Sequence, residues 1–412
     1  MTEEPQQPVR LPLLLVLASL AAVAPVATDL YLPGFPAMGE SLDTGPSGVQ
    51  LTLTTFLVGL AFGQLVMGPL SDRYGRRRPL IASATVCVVA GVVCAVAPNL
   101  GVLVVARLVQ GFAGAGGMVI GRAVISDIVS GRAAARAFTL MLTVGGIAPM
   151  LAPLVGGVLS GPVGWRGMLW TVTALCAAML AGVALVLHET HPEHRRTSGA
   201  GSTITSMRTV VGNRAYRGPV SVFALSFGVM MAYISASPFV YQNVVGLTEV
   251  QYGVAFGVNA AGMVSAGWIS SRLVDRWAPA AILRASILLQ VVGTLTFVAL
   301  AALDAPTWTY PVVVFVALVS NGGIMGNAAA LAMSEVRAVA GAGSAVLGFS
   351  QFALGALVSP LVGLGGEDSA LVPAVVMAAA SVLGFTASRL GLRSGSGELV
   401  LDRDRDVVQQ LP

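Results

Sequence analysis

Two ionisable residues in this chain stand where charge is expensive. Asp29, in the first long apolar stretch, is the only one of 19 acidic residues well inside such a stretch; the other 18 fall in loops, tails or helix ends. Arg107 is the only basic residue deep in an apolar segment, the one running from about 101 to 125. An acidic side chain at the centre of a bilayer costs about 2.5–3.5 kcal/mol on insertion scales, and protonation relieves that cost. A group that gains and loses a proton there can couple the movement of another solute to a proton gradient. The alternative for Asp29 is a helix-end aspartate beside the outer headgroups, with Pro33 as the helix stop. A buried guanidinium needs acceptors, and carbonyls of a broken first helix or Asp29 itself are candidates for Arg107. A plain structural tie between the first and fourth spans is the alternative there.

These two residues need a scaffold that crosses a membrane, and the composition demands one. The chain has 412 residues, of which 55% are hydrophobic and 10% charged, with a mean hydropathy of +0.82. Soluble domains carry about 25% charged residues, so a water-facing globule is excluded, as is disorder. A helix needs roughly 20 apolar residues to cross the hydrocarbon. Uncharged runs occupy 11–28, 44–71, 79–106, 137–165, 167–187, 218–248, 250–271, 285–303, 305–334, 338–366 and 369–388. The segment 101–125 is separated from 79–106 at Pro98-Asn99-Leu100-Gly101, a turn signal, and makes the twelfth. The fold class is therefore an all-α integral membrane protein with 12 transmembrane helices. The apolar run continues past Ala22-Val23-Ala24, which predicts a retained first helix rather than a cleaved leader.

Arginine sets the orientation, since short basic loops stay cytoplasmic. With the N-terminus inside, 21 of the 23 basic residues, all of them arginine, fall on the inner side. Arg166 alone falls outside, and Arg107 lies within a span. Both termini are predicted to be cytoplasmic. The longest connection, with Ser198-Gly199-Ala200-Gly201-Ser202 and five arginines, reads as a polar linker. The predicted organisation is a six-helix bundle over 1–188, a cytoplasmic linker over 189–218, a second six-helix bundle over 219–392 and a tail over 393–412. Gly68-Pro69-Leu70-Ser71-Asp72-Arg73 is echoed 199 residues later by Gly267-Trp268-Ile269-Ser270-Ser271-Arg272. Paired halves of this kind place a transporter's solute site near the midplane.

Polar and aromatic residues on the first, fourth, seventh and tenth spans are candidates to line a cavity: Tyr31, Phe35, Gln110, Tyr233, Tyr241, Asn321 and Asn327. Each is equally suited to packing. Other classes find less support. Cys87, Cys94 and Cys176 sit in apolar runs as core residues. His188, His191 and His194 share one polar loop, and no metal or cofactor is expected. No clustered His/Asp/Ser set lies inside the spans, and no phosphate-binding Gly-Lys-Ser loop occurs, so neither an enzyme nor an ATP-driven pump is expected. Basic residues rim the inner face, where they meet anionic lipid, and no soluble basic surface suits nucleic acid.

The motifs add a resemblance. Gly68-Pro69-Leu70-Ser71-Asp72-Arg73-Tyr74-Gly75-Arg76-Arg77-Arg78-Pro79 resembles the loop 2–3 signature of the major facilitator superfamily. Asp29 to Pro36, Gln50 to Thr55, and Ala148-Pro149-Met150-Leu151-Ala152-Pro153-Leu154-Val155-Gly156-Gly157 resemble the Bcr/CflA-type drug:proton antiporters, as does His188-Glu189-Thr190-His191-Pro192. The resemblance covers roughly residues 25–195. It implies a multi-pass protein of the bacterial inner membrane that exports lipophilic, chloramphenicol-type drugs in exchange for protons; an exporter of a metabolite or amino-acid derivative is the alternative, and a monomer is expected. It implies that Asp29 takes part in proton and drug binding. Arg107, in Arg107-Leu108-Val109-Gln110-Gly111, is linked by it to proton transfer. It makes Gly68, Asp72, Arg73, Gly75, Arg76 and Asp127 a cytoplasmic gate that also caps the eleventh helix. It makes Gly145, Pro149, Pro153, Gly156 and Gly157 the antiporter motif of the fifth span, with Ala152 standing where glycine is usual.

Overall fold

A computed structural model describes residues 11–129, 131–192 and 200–391. The expected tail over 393–412, His194 and the middle of the expected linker lie outside the described residues. Every regular element among the described residues is helical. The long apolar runs become α1 (Leu11–Asp29), α2 (Pro46–Tyr74), α3 (Arg77–Ala95) and α4 (Leu100–Ile128). Helix continues from Gly131 to Val186 apart from one break at Gly164, where φ is 61° and ψ −178°. That conformation is open essentially to glycine alone, and it divides the stretch into α5 and α6. The second half supplies α7 (Arg214–Phe239, extended by a π turn over Val240–Val244), α8 (Glu249–Leu273) and α9 (Pro279–Ala302). It ends with α10 (Thr309–Ser334), α11 (Ala340–Val362) and α12 (Leu371–Gly391).

Among the described residues, ten helical segments are long and apolar enough to cross a membrane. One of them, Thr143–Val186, spans both α5 and α6. The 25-residue α8 completes the twelve; residues such as Gln251, Tyr252 and Asn259 make it less apolar. The turn expected at Pro98–Gly101 is present. Asn99 caps α4, its side chain accepting from the Val102 N–H at 3.0 Å, which satisfies one of the helix's free donors. The stretch read as a linker contains a further helix, Ala200–Gly212. It forms because an apolar residue returns on its last turn: Val210 is buried in a cluster with Tyr216, Val220, Ala332 and Val336.

The chain packs as two compact units. Of the described residues, the first comprises those up to Ala200 with Met231–Ala261 and Gly355–Pro373; the second comprises Gly201–Met230, Gly262–Leu354 and those from Ala374. In the first unit α2 and α4 cross at near-contact of their backbones. A Cβ at Gly111 would lie 2.0 Å from the Phe56 carbonyl oxygen, and one at Gly59 would lie 2.2 Å from that of Leu108. Small residues at such crossings are how helices pack where lipid removes the hydrophobic drive. The thiols of Cys87 on α3 and Cys176 on α6 meet at 3.7 Å in the same unit. The second unit is built on Val222, Phe223, Leu283, Ile287, Ile324 and Ala328. Its buried polar groups pair across helices: Ser226 to Gln290 at 3.1 Å, Gln290 to Asn321 at 3.2 Å, and Thr294 with Ser381 at 2.7 Å.

Gly111→Ala forces backbone against backbone, and overpacking of this kind costs about 1–3 kcal/mol. Gly161→Ala meets nothing within 4 Å. In detergent, the first substitution should lower the thermal unfolding temperature and the second should leave it unchanged or raise it.

Candidate functional site

Asp29 ends α1. The helix is already weakened by Pro25, which lacks an N–H, and a short 3-10 turn over Leu32–Gly34 follows. Thr28 turns its hydroxyl back on the helix, to the Ala24 and Pro25 carbonyls at 3.2 and 2.9 Å. Asp29 is 3% exposed, and its Oδ1 has no hydrogen-bond partner. Among the described residues it is the only buried acidic side chain.

Arg107 is fully buried on α4 and spends its guanidinium elsewhere. Nη2 donates to the Ala27 carbonyl at 2.9 Å and to the Tyr31 hydroxyl at 3.2 Å. Nη1 donates to Gln110 Oε1 at 2.7 Å, and Nε to the Thr52 carbonyl at 3.4 Å. The rings of Phe56 and Tyr31 lie under it, with centroids at 4.2 and 4.7 Å, a cation–π arrangement. Of the two acceptors expected in the first helix, the carbonyl is the one taken. No ion pair joins Arg107 to Asp29 among the described residues. Thr52 donates to the Val49 carbonyl at 2.7 Å, so in the 3.1 Å contact between Tyr31 and Thr52 the tyrosine is the donor.

All seven candidate cavity residues are buried. Tyr31, Phe35 and Gln110 gather around the Asp29–Arg107 region; Tyr31 meets Phe35 edge-on at 5.1 Å, and Phe35 meets Phe239 at 6.2 Å. Tyr233 and Tyr241 join a second cluster with Tyr252, Phe256 and Asn259. There Asn259 donates to the hydroxyls of Tyr233 at 2.8 Å and Tyr241 at 3.4 Å, and Tyr252 meets Ser237 at 3.1 Å. Asn321 and Asn327 belong to the second unit. Asn327 donates to Ser270 and to the Gly323 carbonyl, and Asn321 accepts from Gln290. Sequence reasoning overlooked Tyr252, Ser237 and Asn259. Their signal was the helical spacing of Tyr233, Ser237 and Tyr241 on α7 and of Tyr252, Phe256 and Asn259 on α8.

At the other end of α2, Arg76 is the hub of a charged cluster. It pairs with Asp72 and, through Nε at 2.9 Å, with Asp127; Nη1 also donates to Ser71 at 2.8 Å. Burial works against the guanidinium's charge, but the bonds and charges of Asp127 and Asp72 outweigh it and raise its pKa. Arg73 stands apart, over the Tyr74 ring at 5.2 Å. Gly75 makes the turn with φ at 86°. Gly68 lends its carbonyl to Ser71 at 2.8 Å. Glu189 closes the cluster from the exit of α6. Its carboxylate accepts the backbone N–H groups of Arg76 (2.8 Å), Arg77 (3.3 Å), Thr190 (3.1 Å) and His191 (3.0 Å). Partial burial pushes its pKa up, but these four donors prevail and hold it below the usual carboxylate range. Arg77 reciprocates, donating to the Leu187 and Ala184 carbonyls at 2.8 and 3.0 Å. An acid thus meets the start of α3 and a base meets the end of α6, each matching the helix dipole. Thr190 adds a bond to Asp127 at 3.2 Å.

The expected motif of α5 lies against α1 and α8. A Cβ at Gly156 would lie 2.0 Å from the Leu30 oxygen, and one at Gly157 would lie 2.5 Å from that of Glu249. Gly145 sits near Ala21, and Pro149 and Pro153 lie inside the helix.

The family model for the Major Facilitator Superfamily matches residues 17–360. This chain belongs to the major facilitator superfamily. It is 33% identical over 390 residues to the uncharacterized MFS-type transporter YdgK of Bacillus subtilis, covering 94% of this chain and 97% of that one. It is 28% identical to the bicyclomycin resistance protein homolog of Haemophilus influenzae, over 91% and 94% of the two chains. The multidrug resistance protein MdtL of Escherichia coli is 25% identical over 59% of this chain and 61% of its own. Among solved structures, the nucleoside transporter NupG aligns with a TM-score of 0.74 at 13% identity, over 93% of this chain and 100% of that one. A D-xylose-proton symporter aligns with a TM-score of 0.74 at 14% identity, over 91% and 97%. Both share the fold. This superfamily member is a multi-pass transporter of small molecules, not an enzyme, and with bacterial relatives it sits in the inner membrane.

The Glu189 clasp has a pH signature. A carboxyl whose folded pKa is depressed contributes its full stability above the unfolded value, and loses it as pH falls through the folded one. At neutral pH Glu189→Gln should lower the thermal unfolding temperature slightly, the stability lost being no more than about 1 kcal/mol because solvent screens an exposed carboxylate. The gap to the wild type should close on acidification; a gap independent of pH would contradict the assignment.

Proposed function

We propose that this superfamily member exports lipophilic, drug-like molecules, chloramphenicol-type compounds among them, in exchange for protons. Asp29 carries the proton. The observation behind this reading is its buried carboxyl: one oxygen is unpartnered, and the nearby guanidinium spends four of its five N–H groups on other acceptors. An acid left without a counter-ion in a dry site is neutral when protonated and costly when ionised. It therefore exchanges its proton when water or cargo reaches it. Arg107 positions the site by holding the end of α1 on α2 and α4. Tyr31, Phe35, Gln110, Tyr233, Tyr241, Asn321 and Asn327 meet cargo as the cycle opens them. The halves 1–188 and 219–392 rock about the 189–218 linker, with both termini cytoplasmic, and the working unit is a monomer. Gly68, Asp72, Arg73, Gly75, Arg76 and Asp127 form the cytoplasmic gate, whereas Gly145, Pro149, Pro153, Gly156 and Gly157 let α5 seat closely during exchange. The relatives named for bicyclomycin and multidrug resistance favour drug-like cargo over a metabolite.

Purified protein should release protons when chloramphenicol is added, and Asp29→Asn should abolish both that release and gradient-driven efflux from vesicles while retaining the folded state. Efflux by Asp29→Asn at the wild-type rate, or wild-type efflux that persists with the pH difference collapsed, would refute the proposal.

A further inference from the structure

Two polar residues inside the first unit are left over by this scheme. Arg122 lies on α4, five residues before Asp127 of the charged cluster and therefore about 7 Å from it along the helix. It is half-buried within the Leu100–Ile128 span. Its Nε donates to the Met118 carbonyl at 3.0 Å, and one Nη2 hydrogen reaches Gln64 Oε1 at 3.4 Å. Three of its five N–H groups have no acceptor among the described residues, and no carboxylate lies within 4 Å. Gln64 on α2 is 3% exposed, and its amide nitrogen reaches only the Met118 thioether at 3.8 Å, a poor acceptor. Its one good acceptor is already used by Arg122. Arg107 and Arg76 show the contrast: the first is matched by oxygens on three helices, the second by two carboxylates. Around Arg122 and Gln64, at the inner end of this span, the donors outnumber the acceptors among the described residues, and a partly buried guanidinium without a counter-ion favours an anionic partner.

We propose that Arg122 and Gln64, with Met118 as their apolar floor, form a subsite for a carboxylate on the transported molecule. This rests on the export reading above and adds amphiphiles bearing an acidic group to its cargo. The guanidinium supplies paired N–H donors to the two carboxylate oxygens, and the Gln64 amide adds a neutral donor. A lipid phosphate would satisfy the same chemistry, but the partial burial of Arg122 and the near-complete burial of Gln64 favour cargo.

The test uses the full-length protein in phosphatidylcholine nanodiscs and two xanthene dyes, rhodamine 110, with a free carboxylate, and rhodamine 123, its methyl ester. Fluorescence polarisation should show the wild type binding rhodamine 110 about tenfold more tightly, the gain of a charge-assisted hydrogen bond. Arg122→Gln should remove that preference by weakening rhodamine 110 alone; Arg122→Lys should keep part of it, and Gln64→Leu should reduce it. A wild type without the preference overturns the subsite whatever the variants do. Equal loss of both dyes in Arg122→Gln makes the residue a structural tie and also overturns it, as does displacement of rhodamine 110 when phosphatidylglycerol is added to the nanodiscs. If the preference holds and neither the dyes nor chloramphenicol are pumped in proteoliposomes, the export reading fails and the subsite stands.

Discussion

The first unit depends on one buried guanidinium that donates to four acceptors. Arg107 has no exposure and spends its donors on Ala27, Tyr31, Thr52 and Gln110, while two aromatic rings shield it. A buried cation must find partners or it would not stay buried. Here the partners sit on α1, α2 and the same helix, α4, so the charge cannot be accommodated unless these three helices are correctly placed. The close crossing of α2 and α4 at Gly59 and Gly111 is the steric side of the same arrangement. Because carbonyls and hydroxyls supply the acceptors, Asp29 is not consumed as a counter-ion. A fixed charge and a carboxyl unpaired at one oxygen can therefore lie near each other without cancelling.

The opposite end of α2 solves a different problem. There the charges are partly in water, and no single contact is strong. Strength comes from number and from helix ends. Glu189 collects four backbone donors, Arg77 returns to two carbonyls, and Asp127 receives both Arg76 and Thr190. The α2–α3 turn, the end of α4 and the exit of α6 are joined at one point. Any movement of one of these three is felt by the other two through bonds of ordinary length.

Much of this was legible in the sequence, and the reasons are physical. A charged residue inside an apolar run announces itself without knowledge of its neighbours, which is why Asp29 and Arg107 stand out. The turn at Pro98–Gly101 follows from local conformational preference, whereas the break at Gly164 was placed by the charge of Arg166 between two apolar runs and not by the glycine. The partner of Asp72 was less clear: Arg73 and Arg76 both follow it, and only the turn at Gly75 swings Arg76 inward. The role of Glu189 was hidden, because its acceptors' partners are backbone N–H groups, and Arg76 lies 113 residues away. The aromatic cluster of α7 and α8 was hidden for a related reason. Its residues look like ordinary packing until two helices bring Tyr233, Tyr241 and Tyr252 together around Asn259. The helix at Ala200–Gly212 was obscured by a glycine- and serine-rich beginning that outweighed the buried Val210 at its end.

The meeting of Cys87 and Cys176 inside the first unit carries a practical consequence. Both sulfurs, and that of Cys94, are shut away from water. Maleimide probes attached to an introduced surface cysteine should therefore report on that position alone, and spectroscopic distance measurements on this transporter can begin from the native chain without first stripping out its own thiols.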